Sequence, residues 1–302
     1  MGKKMSRTLG IILAGGKSSR LYPATLAATK QVLPIYDKPL IYYPLTTLML
    51  SGIRDFVIIT NPNEKHVFQE LFKDAKATLG IKITFCTQDK PRGIADAFTI
   101  VGNIPDKELN LDKFDRVALI LGDNIFYGAA MSALLTMANQ DTRAVVFATP
   151  VHDPERFGVV EVADDDSAIS IEEKPKNPKS NLAVTGLYFY PKDVFEKVYL
   201  LKPSARGEYE ITDLNKRYMK EKTLKVVKLL RGMIWFDTGT PDSLMEAAQF
   251  VQTIQKLQTV MVGSPHEVAY SLGWISRESL SKTVTLCGKT AYGEYLNSLL
   301  EA

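Results

Sequence analysis

The chain has 302 residues, 45% of them hydrophobic, which is enough to bury a large core and is near the upper size of one domain. Its 37 basic and 34 acidic side chains nearly cancel, leaving a net charge of +3 with no long basic run, so bulk electrostatic binding of nucleic acid is excluded. No apolar run approaches a membrane span, the two distant cysteines (Cys86 and Cys287) fit reduced core thiols of a cytoplasmic protein, and the scattered His66, His152 and His266 offer no zinc spacing.

Taken in order, residues 1–8, with Lys3, Lys4 and Arg7, read as a frayed, solvated terminus. Ile11, Ile12 and Leu13 form a short apolar run ending in small residues, the pattern of a buried parallel strand. Residues 39–52 read as a helix, with Asp37 near its start and Gly52 as its stop. Strands are expected at 56–59, 81–86, 117–121 and 144–149, alternating with helices at 64–74, 93–101 and 129–139. This order predicts an α/β fold with a doubly wound, mostly parallel, Rossmann-like sheet, in which ligands gather at the carboxyl ends of the strands.

After residue 151 the pattern shifts. Residues 158–162 and 168–171 flank an Asp164-Asp-Asp turn as a hairpin, followed by a strand at 182–190 and helices at 194–201 and 211–220. Strands follow at 224–230 and 233–236. From 241 onward the chain is mostly helical, with helices at 243–258 and 292–300 and a stretch between them left unassigned. The expected division is a core of residues 1–240, made of halves at about 1–150 and 151–240, then a helical region at 241–302 packed on the core or on a neighbouring subunit.

Chemistry concentrates at the strand ends. The first strand runs into Gly15 and Gly16, whose missing Cβ atoms let a ligand approach the backbone and let N–H groups turn toward an anion. Lys17, Arg20 and Lys30 add positive charge, and together these features suggest a nucleoside triphosphate. Gly16-Lys17-Ser18 matches the end of a Walker A loop, but Ile11 stands where its first glycine belongs, and no G-x-G-x-x-G dinucleotide fingerprint is present. Two further strand ends carry carboxylates beside glycines, Leu121-Gly122-Asp123-Asn124 and Trp235-Phe236-Asp237-Thr238-Gly239, and such oxygen donors suit Mg²⁺. Gln88 has both an amide donor and an acceptor for the imide edge of thymine or uracil, and Gly93 is expected to open a helix with free N–H groups.

In this order, Leu13-Ala-Gly-Gly-x-x-Ser-Arg-Leu-x-Pro, Lys30-Gln-x-Leu-Pro-Ile-Tyr-Asp-Lys-Pro39, Arg156-Phe-Gly158, Glu172-Glu-Lys-Pro175 and Val184-Thr-Gly-Leu-Tyr188 resemble the sugar-1-phosphate nucleotidyltransferases over nearly the whole chain. The resemblance implies that residues 1–150 form a nucleotide half and 151–240 a sugar-phosphate half. It implies catalytic roles for Arg20 on the β/γ-phosphates and Lys30 at the α-phosphate. Leu13, Gly15, Gly16, Ser19, Gln31, Gln88, Gly93 and Asp123 would join them in holding the nucleotide. Asn124, Gly158, Glu173, Lys174, Val184 and Tyr188 would hold the sugar phosphate, and Asp123 and Asp237 would hold Mg²⁺. No role falls to Ile211-Thr-Asp213, which reads as a helix start. The chain departs from the family in having Ser18-Ser19 where Gly-Thr is usual, and Arg92 where an acidic residue is common.

The activity so implied is transfer of dTMP from dTTP to glucose 1-phosphate, releasing pyrophosphate, as the first step of dTDP-rhamnose or related deoxysugar and polysaccharide synthesis. Rivals are the same reaction with UTP, a non-catalytic regulatory module of the same fold, and a nicotinamide-dependent oxidoreductase, which the missing dinucleotide fingerprint disfavours. The resemblance also implies a cytoplasmic homotetramer, with an interface effector site for a dTDP-deoxysugar.

Overall fold

The computed structural model describes residues 7–16 and 18–301, so Lys3, Lys4 and Lys17, all invoked above, lie outside the described residues. At its centre is the strand Thr8–Ala14, in which Leu9, Ile11, Ile12 and Ala14 are fully buried. Such a run has no solvent face, so it takes a parallel neighbour on each side: Asp55–Thr60 and Arg116–Leu121. Lys82–Thr87 extends the parallel set beyond Asp55–Thr60.

Beyond Arg116–Leu121 the sheet continues through an antiparallel strand, Leu182–Pro191. Its far side pairs antiparallel with Ala144–Pro150, and Leu224–Lys228 runs parallel to that strand. The hairpin Gly158–Val162/Ala168–Glu173 joins where Ala183 meets Val159, completing a nine-stranded sheet. The expected mostly parallel α/β fold is therefore present, with two reversed strands, Leu182–Pro191 inside it and Ala168–Glu173 at its edge.

Adjacent residues of the central strands serve opposite cores. Ile12, Ile58 and Ile120 pack on one face with Leu45 and Leu48 of the helix Tyr42–Leu50. Ile11, Val57 and Leu119 pack on the other with Phe98 of Asp96–Gly102 and Leu214 and Tyr218 of Ile211–Lys220.

Some expected boundaries move, each for a local reason. The helix expected at 39–52 starts only at Tyr42, because Lys38–Pro39 pairs with Pro34–Ile35 as a small antiparallel ladder. Residues 62–64 form a separate 3₁₀ turn before Lys65–Leu71. Gly93 does not open a helix: it has φ +98, and the helix begins at Asp96. A strand that sequence reading missed, Asn124–Tyr127, pairs antiparallel with Ile234–Asp237.

The C-terminal region contains Pro241–Gln258, Pro265–Ser271, Arg277–Cys287 and Ala291–Glu301. The first is started by Thr240, whose side chain accepts from the Ser243 N–H, with Pro241 at the first helical position. Ala247 and Val251 pack on Ile35, Tyr43 and Ile125, while Ala269, Leu280 and Leu296 join the core beside the central sheet. A buried polar tie adds to this. Lys38 Nζ contacts Asp37 Oδ1 at 2.5 Å and donates to Gln255 Oε1 at 3.1 Å, and Gln255 Nε2 donates to Asp37 Oδ2 at 2.9 Å. Nearby, buried His266 faces the Tyr292 hydroxyl through Nδ1 at 2.9 Å. Among the described residues no helix is long and apolar enough to cross a membrane.

Candidate active site

The strand Thr8–Ala14 delivers the chain to Gly15 and Gly16 at its carboxyl end. A Cβ built on Gly16 would meet no protein atom within 4 Å, so the turn faces open space. Ser18 has φ 47 and ψ 32, a left-handed conformation that glycine takes freely and serine takes at a cost of about 1 kcal/mol. It leads into the 3₁₀ turn Ser19–Leu21, which carries Arg20. Gly239 approaches from the far end of the core: a Cβ there would lie 2.6 Å from Arg20 Nη2 and 3.2 Å from Asp237 Oδ1.

Lys30 sits on a second 3₁₀ turn, Lys30–Val32, and is only 4% exposed. Its Nζ lies 2.5 Å from Asp123 Oδ2. Leu13 and Gln31 pack against Gly122, next to Asp123: the Leu13 carbonyl accepts from Gly122 N at 2.9 Å, and buried Gln31 accepts from Thr29 Oγ1 at 2.7 Å.

Asp123 and Asp237 are 114 residues apart in sequence (237 minus 123) and are joined by the small ladder, in which Asn124 pairs with Asp237. Thr238 locks the junction by donating to the Asp123 carbonyl from N at 3.1 Å and from Oγ1 at 2.8 Å. Asn124 is buried and bonded at both ends of its amide: Nδ2 donates to Asp123 Oδ1 at 2.9 Å, and Oδ1 accepts from Gly186 N at 3.1 Å and Trp235 Nε1 at 2.6 Å. Its polar atoms brace Asp123 and the neighbouring strands.

Burial pushes the Asp237 carboxyl above its usual range, and the Asp123 charge pushes it further, against the opposing pull of Lys30, Arg20 and Arg156. A paired-carboxylate site with this repulsion favours a cation. Its oxygen donors fit a hard cation such as Mg²⁺, and among the described residues no group of three or more His, Cys, Asp or Glu forms a cage, so further ligands would have to come from outside those side chains.

Across the cleft, Glu173 ends the strand Ala168–Glu173 and accepts from Thr212 Oγ1 at 2.6 Å, with Arg206 Nη2 3.6 Å from its other oxygen. Lys174 takes φ 45, and its N–H donates to the Phe157 carbonyl at 2.9 Å. Gly158 leaves room between these groups: a Cβ there would stand 3.2 Å from Thr212 Oγ1 and 3.4 Å from Glu173 Oε2.

Arg20, Asp123, Asn124, Gly158, Glu173, Lys174, Val184, Tyr188 and Asp237 all line one cleft of about 320 Å³. Sequence reasoning missed several lining residues, among them Arg156, Thr212 and Trp235. Arg156 and Trp235 lay inside strings already singled out. Thr212 was hidden because a threonine at a helix start is ordinarily read as part of the helix signal.

Gln88 and Gly93 do not line that cleft. Gln88 borders an adjoining hollow of about 350 Å³ with Arg92, Asp96 and Ile100, and its Oε1 lies 3.6 Å from where a Cβ on Gly15 would stand. Gly93 is required by its contact with Tyr209, whose backbone carbonyl oxygen would lie 2.4 Å from an added Cβ. Arg92, which stands where an acidic residue is common, holds the buried Asp96 carboxylate with Nε at 3.2 Å and Nη2 at 2.9 Å.

Glycine-lined strand ends, clustered cations and an acidic pair are the equipment of an enzyme that handles nucleoside triphosphates. Residues 9–254 match the family model of nucleotidyl transferases, and the chain belongs to that family. Within it the relatives are glucose-1-phosphate thymidylyltransferases. One from Mycobacterium tuberculosis strain H37Rv is 49% identical over 292 residues, covering 97% of this chain and 99% of the relative. One from Neisseria meningitidis serogroup A is 49% identical over 297 residues, with 97% and 99% covered. A crystal structure from Bacillus anthracis, assigned to the same enzyme and holding sucrose, aligns with TM-score 0.72 and 38% identity over 86% of this chain and 99% of that one. UDP-glucose pyrophosphorylase with UDP-glucose aligns with TM-score 0.69 at 22% identity, over 82% of this chain and 99% of that one, a likeness of fold alone.

Proposed function

We propose that this protein is an Mg²⁺-dependent glucose-1-phosphate thymidylyltransferase, transferring dTMP from dTTP to glucose 1-phosphate with release of pyrophosphate. The observation that carries this reading is the convergence on one cleft of Arg20, Asp123 and Asp237 with Glu173 and Lys174, while Lys30 reaches Asp123 from beneath.

In this mechanism a phosphate oxygen of the sugar phosphate attacks the α-phosphorus of dTTP in line. It is already ionised at neutral pH, so no general base is needed, and alignment and charge neutralisation supply the rate. The C1–O bond stays intact, so anomeric configuration is retained. Gly15 and Gly16 offer backbone N–H groups to the triphosphate, with Leu13, Ser19 and Gln31 shaping the turn. Arg20 stabilises the leaving β/γ-phosphates. Lys30, fixed by Asp123, stabilises charge growing at the α-phosphate. Lys174 neutralises the incoming sugar phosphate, with Arg156 adding to the positive wall. Glu173, oriented by Thr212, accepts from sugar hydroxyls beside Gly158, Val184 and Tyr188. Mg²⁺ held by Asp123 and Asp237 supplies further neutralisation of the phosphate oxygens. Gln88 reads the imide edge of the base.

That edge is common to thymine and uracil, so a uridylyltransferase remains the second reading. Measuring pyrophosphate release across dTTP and UTP, with glucose 1-phosphate and other sugar phosphates, with and without Mg²⁺, tests both. Release that is fastest with dTTP and glucose 1-phosphate and vanishes without divalent cation is expected. Nucleotide binding without pyrophosphate release in every combination would leave a regulatory module instead.

The proposal extends to a cytoplasmic homotetramer acting at the first step of deoxysugar synthesis, with feedback by a dTDP-deoxysugar at a subunit interface. Family resemblance supports this extension. Sedimentation velocity and inhibition by dTDP-rhamnose are its tests.

A further inference from the structure

Gln88 reads a base only if its amide faces the right way, and the two orientations read different bases. With Oε1 opposite ring N3 and Nε2 opposite the exocyclic oxygen, a glutamine matches the N3–H and O4 of thymine or uracil. Flipped, it matches the bare N3 and the N4 amino group of cytosine. An unrestrained amide could serve both.

This amide is restrained. Gln88 is 6% exposed, and its Nε2 donates to Asp96 Oδ2 at 2.9 Å. Asp96 is 1% exposed, and its two oxygens also receive Arg92 Nη2 at 2.9 Å and Nε at 3.2 Å. A carboxylate paired with guanidinium has no proton to donate, so it tolerates only the NH₂ end of Gln88. Turning the amide over would set oxygen against oxygen in a buried place, leaving both without a donor. The remaining end, Oε1, is directed toward Gly15 at the head of the triphosphate turn.

The segment bearing these groups is itself held. Tyr209 N donates to the Arg92 carbonyl at 2.7 Å, and Ala95 N donates to the Tyr209 carbonyl at 3.2 Å. Gly93, with φ +98, lets the two backbones meet that closely.

We propose that Asp96, charged and held by Arg92, is a positioning residue that pins the Gln88 amide in its imide-reading orientation and so excludes cytosine nucleotides. The inference rests on the reading above in which Gln88 meets the base. It assigns the rejection of dCTP to a carboxylate that never touches the nucleotide.

The isosteric Asp96→Asn variant tests it, because an asparagine can turn either its oxygen or its amino group toward Gln88. The readout is kcat/KM for dTTP, UTP and dCTP with glucose 1-phosphate. The dCTP-to-dTTP ratio is expected to rise by about tenfold or more, while the UTP-to-dTTP ratio stays within about twofold, since those two bases share the imide edge. General loosening of the site would shift all three nucleotides together, and that outcome overturns the proposal. So does an unchanged dCTP-to-dTTP ratio in Asp96→Asn when Gln88→Ala does change it. If Gln88→Ala also leaves the ratio unchanged, Gln88 does not read the base, and the underlying assignment fails instead. Arg92→Met asks the same question if Asp96→Asn does not fold. Without the guanidinium, the Asp96 carboxylate loses the two contacts that hold it against Gln88, so dCTP rejection should weaken. A dCTP-to-dTTP ratio equal to wild type in that variant refutes the pin.

Discussion

Replacing Gly239 by alanine is the most direct test of whether the cleft depends on the placement of Arg20. The added Cβ would lie 2.6 Å from Arg20 Nη2 and 3.1 Å from Cζ, against 3.4 Å or more for ordinary contact, so the guanidinium must retreat by about 0.8 Å. The obstacles are the ends of two side chains, Arg20 and, at 3.2 Å, the Asp237 carboxylate, and Gly239 does not use a left-handed backbone, so the fold should accept the methyl group with little loss. The chemistry should not, because a misplacement of about 1 Å in a positioning group can cost about 10²-fold in rate, or about 2.7 kcal/mol of transition-state stabilisation. Steady-state pyrophosphate release should therefore fall by about two orders of magnitude, while the melting temperature moves by only a few degrees. Turnover within about twofold of wild type would show that Arg20 does not act from the observed position. A collapse in melting temperature would make the loss structural and refute the reasoning from the other side.

Gly16→Ala should leave melting unchanged, since a Cβ there meets no protein atom within 4 Å, yet raise KM for the nucleotide, whose phosphates need that space; titration calorimetry with dTTP and thermal melting check both halves. Asp237→Asn should lower turnover by about 10²-fold or more and at the same time raise the Mg²⁺-free melting temperature at pH 7. Its folded carboxyl binds a proton more readily than the unfolded one, so stability is full below the unfolded value of 3.8 and is lost as pH rises through the elevated folded range. The variant's advantage should accordingly disappear on acidification. His266 behaves oppositely: burial lowers its pKa from 6.5 to about 4, so stability is full above 6.5 and falls as pH drops through that window. The loss amounts to about 3 kcal/mol, and His266→Gln should flatten the melting profile there.

Strands without a solvent face were legible because their apolar runs are continuous. Ile11 to Leu13 and Val117 to Leu121 announced themselves in this way. The reversed direction of Leu182–Pro191 was not legible, since alternation and burial look the same in either sense. Helix starts drifted wherever nearby backbone contacts overrode local signals, as at Lys38–Pro39 and at Gly93 beside Tyr209. Asp123 and Asp237 could be paired only through family resemblance, because no local spacing reports a contact across such a distance in sequence. Asn124 shows what that route leaves unseen: the resemblance marked it for the sugar phosphate, and only the structure shows that its amide, at the cleft wall, also braces Asp123, Gly186 and Trp235. Gln88, Arg92 and Asp96 recur every four residues, but Gly93 with φ +98 interrupts any helix through them, so their contacts became visible only in three dimensions.

The ladder between Asn124–Tyr127 and Ile234–Asp237 also has a temporal consequence. A chain emerging from the ribosome can complete much of the Thr8–Leu121 parallel sheet while the second acidic group is still unmade. Competence for catalysis then arrives with one of the last distant pairings to form, after most of the hydrophobic surface is already hidden. During refolding, recovery of turnover should trail recovery of far-ultraviolet ellipticity, making enzymatic output a clock for the closing step.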